Sequence, residues 1–249
     1  MNTKLRNTVL IIASVVTVLC VIIGSVGVNT KIFNAFSGLS FAKSARTDAQ
    51  SLDGDVKEIH LDLDLANIKI KKGSENTISI SNNKSEKSIM TFENGILTVE
   101  CKEDVKLSPF SRAASDVEIT LSNDVDIIDV VCSVGDFEVS DITAKEFKSS
   151  LDMGDVDIRK CKFDNMDVSS DLGDIKVRDV EFSNGNVTSS AGDVDLELSG
   201  MGNDVAFDIA VDLGDVEING KEVDNHYKTT DGTKELSVSL NMGDLDIRY

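Results

Sequence analysis

The sequence predicts an all-β protein, a parallel β-helix with rungs of about 19 residues, preceded by one N-terminal transmembrane helix. Three observations predict this fold class. Residues 9–28 are a run without a charged residue, apolar and polar residues alternate from Val56 onward, and a Gly-Asp motif recurs along the C-terminal half of the 249-residue chain. The β-helix domain is predicted to extend over residues 53–249.

The apolar run has the length of a membrane span. A helix needs about 20 apolar residues to cross the hydrocarbon core of a bilayer, and residues 9–28 provide them. Lys4 and Arg6 precede the run, so the positive-inside rule places residues 1–8 in the cytoplasm and the C-terminal domain outside the cell membrane. Residues 29–52 then form a juxtamembrane linker, and the lipid bilayer is the first predicted partner.

The two alternatives to a retained anchor are a lipoprotein and a cleaved signal peptide. A lipoprotein would need a small residue just before its cysteine, whereas Leu19 precedes Cys20. A cleaved signal peptide has an apolar core of about 7–15 residues and a nearby small-x-small site, whereas the nearest such site, Ala42-Lys43-Ser44, lies well past a longer run. A retained single-pass anchor is therefore the preferred interpretation, and cleavage is the alternative. The preferred interpretation of the linker is a tether, and apolar residues at helical spacing from Ile32 to Leu39 make a short interfacial helix the alternative.

The Gly-Asp motif is the strongest signal in the chain. The pattern polar–apolar–Gly–Asp–apolar–x–apolar occurs six times, with intervals of 19, 19, 19, 22 and 29 residues between its glycines. These glycines, the predicted structural turn residues, are Gly135, Gly154, Gly173, Gly192, Gly214 and Gly243. Degenerate copies have Ala66 and Ser115 in the glycine position. Rungs stacked about 4.8 Å apart in chain order would bury a continuous core.

Each 19-residue unit is predicted to hold three short strands, which gives a rung of triangular cross-section. The apolar pair after Gly-Asp is followed by two more pairs, as in Val156/Ile158, Cys161/Phe163 and Met166/Val168. The glycine supplies positive φ or a close backbone approach at a corner. The apolar residue before each glycine is expected to close the core there. The longer last intervals are expected to be loop insertions, including residues 219–235, and no capping segment is evident after the last motif.

The aspartates that follow the glycines would lie above one another in such a stack. They are Asp136, Asp155, Asp174, Asp193, Asp215 and Asp244. Stacked carboxylates repel one another, and bound Ca²⁺, which prefers oxygen ligands, would relieve that repulsion. The first four are therefore candidate calcium ligands. The preferred interpretation is that each aspartate caps a turn on a solvated edge, because the nine-residue repeat of calcium-binding β-rolls is absent from the sequence.

The composition excludes several classes of function. The chain has 25 Lys and Arg residues against 44 Asp and Glu residues, and this net charge of −19 argues against binding of nucleic acid. No fingerprint such as GxSxG, HExxH or a phosphate-binding loop is present in the sequence, and no cofactor is predicted. The cysteines beyond the apolar run are expected to be buried and free, with one disulfide as the alternative: Cys101, Cys132 and Cys161.

An N-terminal membrane helix followed by Gly-Asp-[Val/Ile]-x-[Val/Ile] repeats resembles the bacterial "putative adhesin" β-helix family. This family includes the LiaG-like membrane-anchored accessory proteins encoded with envelope-stress regulators. The resemblance covers residues 53–249, and residues 93–99 resemble the turn and strand that these proteins place before the regular rungs. It implies a right-handed β-helix, in agreement with the usual handedness of parallel crossovers, and it brings no catalytic residue.

These observations favour a non-enzymatic extracytoplasmic protein. The preferred function is a membrane-anchored accessory or interaction protein of the cell envelope, linked to envelope stress, with another envelope protein as its partner. A surface adhesin that binds glycan or another cell is the alternative. A polysaccharide-acting β-helix enzyme is the second alternative, which abundant carboxylates favour, whereas the absence of Trp and the short rungs argue against it.

Overall fold

The computed structural model describes residues 49–81, 86–103, 114–198, 200–201 and 204–249. These residues are all-β, which confirms the predicted class of the C-terminal domain. The predicted transmembrane segment, residues 9–28, lies outside the described residues. In the part of the chain that is described, no helix has both the length and the apolar composition to cross a membrane.

The strands form two sheets that share the long strand β2. Across sheet A the order is β1 (Gln50–Ser51), β3 (Thr77–Ser81), β6 (Ser115–Leu121), the second half of β2 (Glu58–Lys72), β8 (Phe137–Ser140), β10 (Val156–Arg159), β12 (Ile175–Arg178), β14 (Val194–Glu197), β20 (Leu245–Arg248), β16 (Val216–Ile218) and β17 (Lys221–Val223). Across sheet B it is β4 (Glu86–Glu93), β5 (Ile96–Glu103), the first half of β2, β7 (Val125–Val134), β9 (Thr143–Met153), β11 (Lys162–Ser170), β13 (Asn184–Ser189), β19 (Lys234–Met242), β15 (Val205–Leu213) and β18 (His226–Lys228).

Neighbouring rungs pair in parallel, as the repeat predicts. In sheet A, Val156 lies beside Phe137 on one side and Ile175 on the other, so each neighbour is one full repeat away in sequence. Sheet B has the same register, because Met166 lies between Phe147 and Gly185. The handedness of the crossovers stays a prediction.

The rungs do not stack in chain order throughout, which corrects the prediction. Strand β2 pairs with both β6 and β8, so the rung of Ala66 lies between those of Ser115 and Gly135. At the other end β20 pairs with β14 and β16, so the rung of Gly243 lies between those of Gly192 and Gly214. The chain leaves the height of one rung empty and fills it later with another motif. The intervals between motifs that are longer than the regular 19 residues give the chain enough length for this.

Each regular rung contains two strands rather than three, which also corrects the prediction. In β9 and β11 the second residue of the second apolar pair and both residues of the third pair lie on one continuous strand, and Ala144 and Phe147 in β9 are buried as expected. Between them Lys145 and Glu146 are both exposed. Two successive exposed residues interrupt the alternation, so the strand bends there. The parallel pairing continues past the bend, and the expected corner is therefore a bend within sheet B.

The two sheets enclose one continuous apolar core. Phe137, Phe147 and Phe163 stack inside it, with ring centroids 5.9 Å and 4.5 Å apart. The cysteines of the described residues are buried and free, so the disulfide alternative is wrong. Burial raises the pKa of the Cys161 thiol to about 11, as expected for a thiol in apolar surroundings.

Antiparallel strands cover both ends of the stack. At one end β3 pairs with β6 and β4 pairs with β5. At the other end β17 pairs with β16 and β18 pairs with β15. An uncovered sheet edge is a template for unwanted strand pairing. The expectation of an uncapped last motif is wrong, because that motif is an inner rung and residues 221–228 form the cap.

Candidate functional site

Each Gly-Asp motif forms the corner between a strand of sheet B and a strand of sheet A. The six motif glycines have φ between 140° and 146°, a region that side chains with a Cβ rarely adopt. A Cβ on Gly154 would lie 2.0 Å from the carbonyl oxygen of Gly135, and one on Gly173 would lie 2.1 Å from that of Gly154. The main chains of neighbouring rungs are therefore in direct contact at this corner. Glycine is required there both by the backbone φ and by the lack of room for a Cβ.

The aspartates after these glycines form a hydrogen-bonded row, which we call the aspartate ladder. In rung order its members are Asp136, Asp155, Asp174, Asp193, Asp244 and Asp215. The main-chain N–H of Asp155 donates to Oδ1 of Asp136 at 3.1 Å, and that of Asp174 donates to Oδ1 of Asp155 at 2.9 Å. The same bond recurs to the end of the row. Each carboxylate except that of Asp215, the last in the row, thus links two rungs, rather than capping a turn within its own rung.

An asparagine continues the ladder where the rung order is exchanged. Oδ1 of Asn67 accepts the N–H of Asp136 at 3.3 Å, and its Nδ2 donates to Oδ1 of Asp116 at 3.2 Å. An amide can accept and donate, whereas a carboxylate can only accept. The hydroxyl of Ser81 in β3 closes the row, since it donates to Oδ2 of Asp116 at 3.3 Å and accepts the N–H of Asp116 at 3.2 Å.

The apolar residue before each glycine lies on the outside of the corner, which corrects the expectation that it closes the core. In rung order these residues are Val134, Met153, Leu172, Ala191, Met242 and Leu213, and we call this row the corner ridge. Leu172 is 51% exposed and Leu213 is 62% exposed. The residue two positions before the ridge residue fills the core instead, as Leu151 does. At a rung spacing of about 4.8 Å the ridge is about 24 Å long.

Acidic side chains flank the corner ridge on both sides. The aspartate ladder follows it in sequence on the side of sheet A, and Asp152, Asp171 and Asp212 precede it on the side of sheet B, all three exposed. Among the described residues, the lysine within ion-pair distance of these rows is Lys176, with Nζ 3.5 Å from Oδ2 of Asp174. The corner therefore combines a linear apolar surface with a negative potential.

The structure places the four candidate calcium ligands in one row. Asp136, Asp155, Asp174 and Asp193 each use Oδ1 to accept a main-chain N–H. In the described part of the chain no group of three or more His, Cys, Asp and Glu side chains could hold a metal ion. Calcium binding at the ladder stays the alternative interpretation.

A second corner, which the sequence interpretation missed, follows the strands of sheet A. Asp141, Lys160 and Asp179 have φ of 59°, 52° and 54°, in the left-handed region that non-glycine residues seldom adopt. The N–H of Asp141 donates to the carbonyl of Arg159, one rung further, at 3.0 Å. Polar residues at the same distance after Gly135, Gly154 and Gly173 were the available signal.

A groove lies on the outer face of sheet B, where the strands bend. Its volume is about 470 Å³, and its lining includes Asp129, Glu146, Lys148, Asn165 and Asn184. Amide side chains form a second row of bonds here. Nδ2 of Asn165 donates to Oε1 of Glu146 at 2.6 Å, and Nδ2 of Asn184 donates to Oδ1 of Asn165 at 2.7 Å.

The rungs and corners described above account for most of residues 56–248, and that segment matches the Toastrack DUF4097 family. The chain belongs to this family. This membership confirms the resemblance to the "putative adhesin" β-helix family that the Gly-Asp motifs indicated. A comparison of this Toastrack chain with curated proteins gives no match.

Among solved structures, this Toastrack chain is similar to a "putative cell adhesion protein" from Clostridium sporogenes, at 17% identity and a TM-score of 0.48, over 83% of this chain and 99% of that one. It is also similar to a "putative adhesin" from Bacteroides fragilis, at 12% identity and a TM-score of 0.41, over 85% of this chain and 100% of the other. Neither likeness bears on what this Toastrack domain binds.

Proposed function

We propose that this Toastrack protein is a non-enzymatic interaction protein of the cell envelope, anchored in the membrane by residues 9–28. The corner ridge is the observation that carries the proposal. Contiguous exposed apolar surfaces usually mark contacts with other molecules, and five ridge residues are 39% to 62% exposed. Lys4 and Arg6 orient the anchor with the β-helix outside the membrane. The link to envelope stress rests on the resemblance of the motifs to the accessory proteins.

Two carboxyl groups have pKa shifts that disfavour a role as a catalytic acid. A general acid that acts near neutral pH needs a raised pKa. The hydrogen bond from Nζ of Lys69, at 2.9 Å, lowers the pKa of Glu138. Hydrogen bonds from Thr233 lower the pKa of Asp204. Both shifts are opposite to those of a polysaccharide-cleaving acid.

The predicted topology is tested by labelling with a membrane-impermeant maleimide in intact cells. The native thiols of the described residues are buried, so an exposed position such as Ser239→Cys reports the location of the domain. We expect Ser239→Cys to react in intact cells. The matched Asn2→Cys variant should react after permeabilisation, because residues 1–8 are assigned to the cytoplasm. The reverse pattern would overturn the proposal.

The proposed partner is tested by crosslinking the tagged full-length protein in intact cells, followed by mass spectrometry. We expect a membrane or envelope protein that is captured by the wild type and lost in Leu172→Ser. Ile89→Ser is the matched control, because Ile89 is 47% exposed and lies outside the ridge. A capture pattern that is the same in all three proteins would contradict the function assigned to the ridge.

A surface adhesin is the second candidate, and the row of polar side chains in the sheet B groove favours it. Amide and carboxylate side chains at rung spacing can bond the hydroxyl groups of a glycan, although the residues that line the groove include no Trp or Tyr for stacking on a sugar ring. Binding of the full-length protein to a glycan array, lost in Asn184→Ala but retained in Leu172→Ser, would support the adhesin. Hydrolysis of the bound glycans would instead support the enzyme alternative.

A further inference from the structure

We infer that the corner ridge binds a basic amphipathic α-helix of a partner protein, with the apolar face of that helix along the ridge and its Lys and Arg residues against the flanking aspartates. The inference rests on the proposed function and specifies the chemistry of the partner.

The dimensions of the corner ridge fit a helix that lies along it. The ridge is about 24 Å long at a rung spacing of about 4.8 Å, which corresponds to about 16 residues of α-helix at a rise of about 1.5 Å each. One helical turn advances about 5.4 Å, so apolar residues at every turn meet a ridge side chain at nearly every rung. Met153 and Met242, which are 48% and 50% exposed, have flexible side chains that can absorb the remaining mismatch in spacing.

The charges on both sides of the ridge specify a basic partner. Each carboxylate of the aspartate ladder except that of Asp215 accepts one main-chain N–H, and a carboxylate has acceptor capacity for several donors. Asp152 and Asp171 add charge on the opposite side of the ridge. Lys and Arg on both edges of an apolar helical face would pair with these two rows. An anionic lipid surface would be repelled by the same rows, which favours a polypeptide over a membrane as the occupant.

Other exposed apolar residues of the described chain do not form a comparable row. Ile89 lies opposite Glu100 in the antiparallel pair β4–β5. Val131, which is 46% exposed, lies between Asp62 and Ser150 on the neighbouring strands of sheet B. The ridge, by contrast, has an apolar residue on each of its successive rungs. Its continuity, rather than the exposure of one residue, distinguishes it as a docking surface.

The direct test is photocrosslinking with a synthetic peptide of about 16 residues. The peptide contains leucines on one helical face, lysines on both edges of that face, and a photoreactive group among the leucines. The full-length protein is studied in nanodiscs of zwitterionic lipid, with empty nanodiscs as the background. We expect crosslinks at the ridge residues, and binding that weakens as the salt concentration rises. Crosslinks confined to the sheet B groove or to the end caps would overturn the inference.

Variants separate the apolar from the electrostatic contribution. Leu172→Ser combined with Leu213→Ser should weaken peptide binding at least about tenfold, whereas Ile89→Ser should leave it within about twofold. Asp152→Asn combined with Asp171→Asn should weaken binding and reduce its salt dependence. Equal binding of a peptide with glutamate in place of lysine would contradict the charge argument. Ridge-dependent binding to anionic vesicles would overturn the assignment of a polypeptide partner.

The outcome for this inference is separable from that for the proposed function. If the peptides fail to bind while intact cells still yield a partner that Leu172→Ser loses, the basic helix is wrong and the envelope interaction protein stands. If Ser239→Cys is shielded in intact cells, the envelope location is wrong whatever the peptides do.

Discussion

Substitution of Gly173 by alanine tests whether main-chain contact at the corners holds the rungs together. A Cβ at this position would lie 2.1 Å from the carbonyl oxygen of Gly154, whereas ordinary van der Waals contact begins at 3.4 Å. The atom in the way belongs to the main chain of the neighbouring rung. It cannot turn aside as a flexible side chain would, so we expect the two rungs to separate at this corner.

The expected loss of stability has two parts. Alanine at φ of 143° costs about 1–3 kcal/mol in backbone strain. Separation of the rungs also weakens the bonds from Gly154 N–H to the carbonyl of Leu172 (2.9 Å) and from Asp174 N–H to Oδ1 of Asp155 (2.9 Å), at about 1 kcal/mol each. The total is about 3–5 kcal/mol. For a domain of this size each kcal/mol lowers Tm by about 2–4 °C, so Tm should fall by about 6–20 °C.

The assay is thermal unfolding followed by circular dichroism, with Gly220→Ala as the matched control. Gly220 also has positive φ, 72°, but the nearest atom to its added Cβ is Oε1 of Glu217 at 3.7 Å. This variant has backbone strain without the collision, and we expect a cost of about 1 kcal/mol. If both variants lower Tm by the same amount, the close approach of the main chains contributes nothing and the corner argument is refuted.

Three further predictions concern the ladder, calcium and the buried thiol. Asp155→Ala should lower the free energy of unfolding, measured by chemical denaturation, by about 1 kcal/mol, because it removes the acceptor of the Asp174 N–H. Asp155→Asn should be nearly neutral, since Asn67 makes the same bond through its amide oxygen, and equal losses of stability in the two variants would contradict the ladder. Millimolar CaCl2 should leave Tm unchanged, and a rise that Asp155→Asn abolishes would establish the calcium site instead. Burial raises the pKa of Cys161 from 9.0 to about 11, so the thiol of the unfolded chain loses its proton at a lower pH than that of the folded chain. The free energy of unfolding should therefore fall as pH rises from about 9 to 11, and an identical fall in Cys161→Ala would show that other groups cause it.

The sequence predicts the rungs well because side-chain alternation and the Gly-Asp spacing report the same geometry. Val156 and Ile158 face the core, and their equivalents on the neighbouring rung do the same. The order of the rungs is harder to predict, because every motif copy has the same pairing surfaces and can lie beside any other. The available signals were Asn67 in place of aspartate and the longer intervals near the C-terminus. Both mark the places where the order is exchanged.

The corner ridge was missed for a different physical reason. Leu151 is buried, and in a straight strand Met153 would face the same side two residues later. The chain turns at Gly154, however, and Met153 lies on the outside of that turn, 48% exposed. Alternation alone cannot report a change of direction, so an apolar residue directly before a motif glycine looks like a core residue in the sequence.

The corner separates the residues that hold the fold from those that are available for binding. The spacing of the ridge is fixed by main-chain bonds, such as that from Gly154 N–H to the carbonyl of Leu172 at 2.9 Å, and by the approach of one glycine to the next. The side chain of Leu172 contributes little to either, because it is half exposed. We therefore expect Leu172→Ser to lower the free energy of unfolding by about 1 kcal/mol, for the half of the side chain that is buried, while Gly173→Ala, one residue later, costs several times more. A large loss of stability in Leu172→Ser would show that the ridge belongs to the core, and a change in partner binding could then no longer be attributed to a surface contact.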